Sequence, residues 1–233
     1  MVGTLVNTGS IIAGSLVGFL ASKKLKTTSS PLLTQAMGLL TSILGFQMAL
    51  KANSSSLMLT LLLSLVLGAI IGELLHIEEF LERLGERASS LLKFQGGGIA
   101  RGFVAATLLF CVGPMAILGS ISDGLKGDFQ LLLLKSIMDG TASVFLTSTL
   151  GIGVIFSAVP LFLYQGGLTL LARFFAAQVP ESLILALTVS GGAIIVLLGF
   201  HFLGVKKFKV ANFLPALILA PIFQEIFQRL IPG

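Results

Sequence analysis

Charge and cysteine are what this chain has least of. Only 11% of its 233 residues are Asp, Glu, Lys or Arg, whereas a soluble globular domain carries about 25%. With 55% of the residues hydrophobic and a mean hydropathy of +1.03, too few polar side chains remain to cover a surface facing water. The repeated long apolar runs therefore read as membrane-spanning helices, and the chain as an all-α polytopic membrane protein. One cysteine, Cys111, excludes an intrachain disulfide and any cysteine-based zinc or iron–sulfur site within one chain. Its place in an apolar run reads as a small buried hydrophobe. His76 and His201 are the only histidines. There is no His-Glu-x-x-His, no Ser/His pair at useful spacing, and no pair of aspartates in consecutive apolar runs with a glycine signature. No enzyme activity, metal site or cofactor is expected. The glycines at 96–98 lack the Lys-Ser/Thr ending and the preceding strand of a phosphate loop.

Glycine is abundant, with 27 residues, as in membrane helices that pack closely through small side chains. The net charge of +5 comes from short basic clusters at the ends of apolar runs. That pattern is a topology signal and not a nucleic-acid footprint. Nothing basic precedes the first run, and Lys23, Lys24 and Lys26 follow it, the reverse of a secretory signal. The N-terminus is therefore expected outside, with the first run retained in the membrane.

Spans are expected at residues 2–21, 32–50, 57–75, 99–120, 183–203 and 213–230. In the first, Ser10, Gly14 and Gly18 have small-xxx-small spacing and form a flat face. Asn7 beside them reads either as an interhelical hydrogen bond or as a ligand contact. Residues 76–94 differ: Ile77, Leu81, Leu84, Ala88 and Leu91 form one stripe against a face of Glu and Arg. This is an amphipathic helix lying on the cytoplasmic surface or against a partner subunit. Glu73, just before it, reads as a solvated carboxylate at a span's end.

The centre of the chain is the stretch 110–128. It meets Gly113-Pro114, where a helix is apt to kink, and ends in a glycine-punctuated outer segment, 121–128, carrying Asp123 and Asp128. These aspartates read as a solvated turn, or as oxygen ligands for a hard cation. Residues 129–160 are too long for one straight crossing and contain Lys135 and Asp139-Gly140. Lys135 and Asp139 are one helical turn apart and can pair. The functional reading is a second helix break at Asp139-Gly140 lining a cavity. Residues 161–177 either cross or lie in the interface.

The halves also resemble each other. Residues 45–48 match 199–202, and Gly3-Thr4 with Gly14 matches Gly140-Thr141 with Gly151 at the same spacing. One loop between paired spans holds a single lysine, and its counterpart holds Lys206, Lys207 and Lys209, so the two hairpins are expected to be inverted. The organisation expected is one membrane domain. It comprises a first repeat at 1–75, an amphipathic helix and linker at 76–98, a central broken-helix segment at 99–139, and a second repeat at 140–233. An inverted first span at 140–158 would make 129–139 a re-entrant half-helix. The plainer count gives eight crossings, so about seven or eight spans are expected, with both termini outside.

The opening residues 3–7 and the long central motif from Cys111 to Asp128 resemble the YdfK/YqgA-type family of bacterial integral membrane proteins. The resemblance covers the whole chain. It implies an inner-membrane location and a polytopic helical fold. The family is one of unknown function that carries a transport label, so it supplies no catalytic residue. The reading is a small-solute or ion transporter or channel of the bacterial inner membrane. Its pathway is expected at Thr4, Asn7, Pro114, Asp123, Asp139 and Thr141, with Asp139 binding a cation or proton. Its partners are the lipid bilayer, a small ion or solute and, through the small-residue faces, a second copy of itself. The rival reading is a membrane scaffold or regulatory subunit that docks a partner through the amphipathic helix.

Overall fold

The computed structural model describes residues 1–22, 30–81, 83, 99–111, 114–175 and 180–230. Among these, the α-helices are α1 (Val2–Ser22), α2 (Ser30–Ala49), α3 (Ser55–Leu74), α4 (Ile99–Cys111), α5 (Pro114–Lys126), α6 (Gln130–Leu150), α7 (Ala158–Phe175), α8 (Glu181–Leu203) and α9 (Pro215–Leu230). Short 3-10 helices cover Ile152–Ser157 and Val210–Phe213. No strand occurs among the described residues. Among the described residues, six segments are long and apolar enough to cross a membrane, and a seventh is added if α4 and α5 form one bent span. The chain is an all-α polytopic membrane protein. An eight-crossing count also requires α2 to cross. The amphipathic stripe beyond residue 83, the glycines at 96–98, the linker residues 23–29 and Gly113 lie outside the described residues.

Helix ends follow local chemistry. The Ser54 side chain accepts from Leu57 N at 3.3 Å and caps the start of α3. Gly127, with φ of 68°, closes α5, and Gly204, with φ of 78°, closes α8; both conformations favour glycine. His76 takes the same left-handed conformation, with φ of 51°, where α3 hands over to the helical turn that follows.

Three expectations are corrected. The outer segment 121–128 is not a turn, because α5 continues to Lys126 and only Gly127 and Asp128 remain as connector. Its small Gly124 allows α5 to approach α7: a Cβ there would meet Thr169 O at 2.4 Å. Second, α6 runs unbroken through Asp139-Gly140. Gly140 is a packing glycine whose added Cβ would lie 3.2 Å from Ser10 on α1. The break falls at Gly151, with φ of 91°, and a 3-10 turn follows. Third, residues 129–139 are no re-entrant half-helix, and α6 does not oppose α1. The two run parallel, with Gly3 against Leu132, Gly14 against Gly140 and Gly18 against Val144. The bent pair α4–α5, whose axes differ by 59°, is the break that the Gly113-Pro114 reading anticipated.

The chain divides into two compact units, Met1–Thr34 with Leu81–Ala177, and Gln35–Phe80 with Gln178–Gly233. In the first, α1 and α6 pack so closely that a Cβ added at Gly14 would lie 2.2 Å from Gly140 O. Helix α7 returns antiparallel to α1, with Gly166 beside Thr4 and Met1, and Gln165 beside Asn7. Helix α4 packs on the 3-10 turn, and Phe110, Leu108, Leu132 and Leu161 fill the interior.

In the second unit, α2 lies antiparallel to α8: Gly38 faces Gly199, and Gly45 faces Gly192. Helix α3 lies antiparallel to α9, with Gly68 against Ala216 and Gly72 against Asn212. Leu57, Ala186 and Ala220 form its buried apolar cluster. Large apolar side chains such as Leu20, Phe174 and Ile218 are exposed, as expected of surfaces that face hydrocarbon chains.

Candidate functional site

The first unit buries a charged cluster among three helices. Thr4 and Asn7, one turn apart, share a face of α1. Lys135 and Asp139 share a face of α6, and Gln165 comes from α7. Asn7 donates through Nδ2 to Asp139 Oδ2 at 3.0 Å and to Gln165 Oε1 at 3.1 Å. Lys135 Nζ donates to the same Asp139 oxygen. The ammonium also lies 6.0 Å from the ring centroid of Phe110 on α4. Thr4, Asn7 and Gln165 are fully buried, and Lys135 and Asp139 nearly so.

Such a cluster is an expensive thing to keep in a membrane span. Charges at this depth cost several kcal/mol each, and pairing offsets that only when the remaining polar atoms are satisfied. Here they are not. Thr4 Oγ1, Asn7 Oδ1 and Gln165 Nε2 are buried without a hydrogen-bond partner. Each such atom forfeits about 1–3 kcal/mol. Asn7 touches the ion pair, and Thr4 and Gln165 adjoin Asn7; the hydroxyls of Ser15, Thr107 and Thr147 in the same unit are likewise buried without a partner, but they adjoin no charge pair.

The other expected pathway residues lie apart. Asp123 on α5 accepts from the Met1 amino nitrogen at 2.8 Å and from Gly3 N at 3.3 Å, so its carboxylate caps the start of α1. It borders a cavity of ≈ 370 Å³ that is also lined by Phe129, Thr169 and Arg173. Asp128 accepts from Gln130 N at 3.1 Å and serves the start of α6. The two aspartates therefore have separate partners. Thr141 is exposed on α6, its hydroxyl donated to Ile137 O at 2.8 Å. Pro114 opens α5 at the bend. Among the described residues, no group of three or more His, Cys, Asp or Glu comes together for a metal ion.

Gln165 and Phe110 are the additions that sequence reasoning missed. Gln165 could have been found in the sequence, because a buried amide in a span needs partners as much as Asn7 does. Phe110 carried no signal, because nothing in a linear pattern tells which ring will lie near an ammonium.

Residues 2–225 match the family described as "Protein of unknown function (DUF554)". The chain belongs to the DUF554 family. It is 35% identical over 223 residues to the "Uncharacterized membrane protein YdfK" of Bacillus subtilis, covering 95% of each chain. It is 28% identical over 226 residues to the "Uncharacterized protein YqgA" of Escherichia coli, covering 94% of each. No solved structure matches.

This DUF554 chain carries a second polar cluster, in its other unit and at a span's end. Lys209 donates to Glu73 at 2.9 Å and to Glu79 at 2.8 Å. Glu78 accepts from Ala211 N at 2.7 Å, and Glu78 N donates to Asn212 Oδ1 at 2.8 Å. Asn212 Nδ2 donates to Glu73. Glu73 is thus solvent-exposed, as expected, but also tied. The hydrogen bond from Lys209 holds the Glu79 carboxyl below its ordinary value, and Glu79 and then Glu73 push the Lys209 ammonium above its own. His201 Nδ1 accepts from Phe208 N at 3.3 Å and fastens the same loop.

Proposed function

We propose that the chain is a small-solute or ion transporter or channel whose pathway runs through the first unit, with Asp139 at its centre. The observation that carries this reading is the buried, incompletely satisfied cluster of Thr4, Asn7, Lys135, Asp139 and Gln165 inside apolar helices. An ionisable residue within a span is by default a functional one. A route is supplied by α1 itself. The cavity at Met1 and Asp123 lies at its start, Thr4 is one turn in, and Asn7 with Asp139 is one turn further. The bend between α4 and α5 adds the kind of interruption that pathways use.

Helix directions support an inverted repeat, revised from the sequence pattern. Within the first unit α7 opposes α1; within the second, α8 opposes α2 and α9 opposes α3. Helices α1–α3 and α7–α9 are then the two repeats. The glycine pairs of α2 and α8 are reciprocal, 38 with 199 and 192 with 45, as across a two-fold axis. With eight crossings, Lys206, Lys207 and Lys209 fall on the cytoplasmic side of the bacterial inner membrane, and both termini outside. The chain is read as non-enzymatic.

A scaffold role has one observation in its favour. The Glu73, Glu78 and Glu79 contacts anchor the start of the amphipathic segment firmly to the loop at 209–212. Removing residues 84–94 and recovering the same co-purifying proteins would sink that role. For transport, the test is electrical recording from purified protein in liposomes against a panel of small ions and acids. A substrate-dependent current lost in Asp139→Asn is expected, and an unchanged current in that variant overturns the reading.

A further inference from the structure

We infer that the buried cluster is a site for a monovalent inorganic cation, and that Lys135 is its built-in competitor. The inference rests on the transport reading for its purpose but on geometry for its content. Two of the three unpartnered atoms, Thr4 Oγ1 and Asn7 Oδ1, are oxygens. Asn7 is bonded to the Asp139 carboxylate through its amide nitrogen, so turning that amide offers Oδ1 to an ion there, and Thr4 lies one turn earlier on the same helix. A carboxylate with two neutral oxygens is a hard-cation ligand set. One carboxylate suits a single positive charge; divalent ions gather several, and no such group exists among the described residues.

The same carboxylate is held at present by the Lys135 ammonium. Two cations on one buried carboxylate would leave one charge uncompensated, which is costly. A bound ion therefore displaces the ammonium from Asp139, and the carboxylate stays neutralised through the exchange. The displaced lysine has somewhere to go. Its Nζ already lies 6.0 Å from the Phe110 ring centroid, at the edge of a cation–π contact. Phe110 is fully buried next to the end of α4, where the bent pair begins. Ion entry at Asp139 is thereby linked to the α4–α5 bend through one side chain. Gln165 Nε2, the third unpartnered atom, gains an acceptor only if the Asn7 and Gln165 amides reverse together, which keeps their mutual hydrogen bond.

The test is radioactive Na+ binding to the full chain in lipid nanodiscs, with N-methyl-D-glucamine as the inert counter-ion and Li+, K+ and pH as competitors. Asp139→Asn abolishes binding. Thr4→Val, close in shape, weakens it about tenfold for a lost oxygen ligand. Lys135→Met tightens it by about tenfold or more, since the competitor is gone. A purely structural lysine would give the opposite sign or no effect. Absence of Na+ binding in both wild type and Lys135→Met, with the chain monodisperse, overturns the inference, as does competition by protons alone. Asp139-dependent flux that persists without any alkali cation would overturn it while leaving transport intact. Na+ binding without flux of any kind would overturn transport and leave the cation site.

Discussion

The two polar clusters use the same chemistry to opposite ends. Each joins a lysine, a carboxylate and an asparagine across helices distant in sequence. At Lys209 the charges face solvent, the loop is short, and most of the donors and acceptors meet a partner. That is a fastening: it fixes where α3 and the turn after it meet the start of α9. At Lys135 the charges are buried, and three polar atoms around them go unpaired. A fastening made only for stability would do better with apolar residues at that depth. The difference between them lies in the environment and not in the residues, and it is the ground on which we propose the buried cluster as the working part.

The comparison is broken most forcefully at Asp139. Asp139→Ala leaves the Lys135 ammonium buried without its partner and is expected to cost about 3–5 kcal/mol. Replacing both, Asp139→Leu with Lys135→Met, is expected to recover most of that loss. A thermal-melting cycle in detergent checks it, and additive losses would show that the two side chains do not act as a pair.

Next in size are the glycines that let the helices approach. Gly14→Val would push a side chain into Gly140 O, where even a Cβ would lie at 2.2 Å, and is expected to cost about 1–3 kcal/mol. Gly9→Ala meets nothing within 4 Å and should be silent in the same melting assay.

The smallest effects belong to the exposed cluster, and they depend on pH. Glu79 is held below its ordinary value, so its contribution is present above the normal carboxylate range of about 4.3 and is lost as pH falls through the lowered value. Lys209 is held above its own, so its contribution is present below about 10.4 and is lost as pH rises through the raised value. Wild type and Lys209→Met should thus differ in melting midpoint around neutrality and converge in strong acid. They should also converge as salt is added. A gap that survives both treatments would mean that Lys209 acts through its apolar stem.

Much of this was legible in the chain. Long apolar runs between basic and glycine-rich joints gave α1, α3 and α8 to within two residues. The one-turn spacing of Lys135 and Asp139 gave their pairing. What misled was glycine. Asp139-Gly140 reads as a break, yet Gly140 serves α1, whose Gly14 and Ser10 need a bare backbone to pack against. Only the partner helix reveals which glycine ends a helix and which one hosts a neighbour. Gly151, an actual end, differs from Gly140 in a positive φ that sequence does not display. Gly124 misled likewise, inside a helix that packs on α7. The alternative in which 140–158 opposes the first span fails for the same reason, since matched glycines were taken as matched helices, whereas the eight-crossing count runs α6 parallel to α1.

The measurement that goes straight to the difference between the clusters is uptake into liposomes by three forms of the full chain: wild type, Asp139→Asn and Glu73→Gln. Each variant removes one carboxylate charge from one cluster. Loss of uptake in Asp139→Asn with uptake retained in Glu73→Gln is the expected result. Equal loss in both, or uptake undiminished in Asp139→Asn, would contradict a working role for the buried cluster.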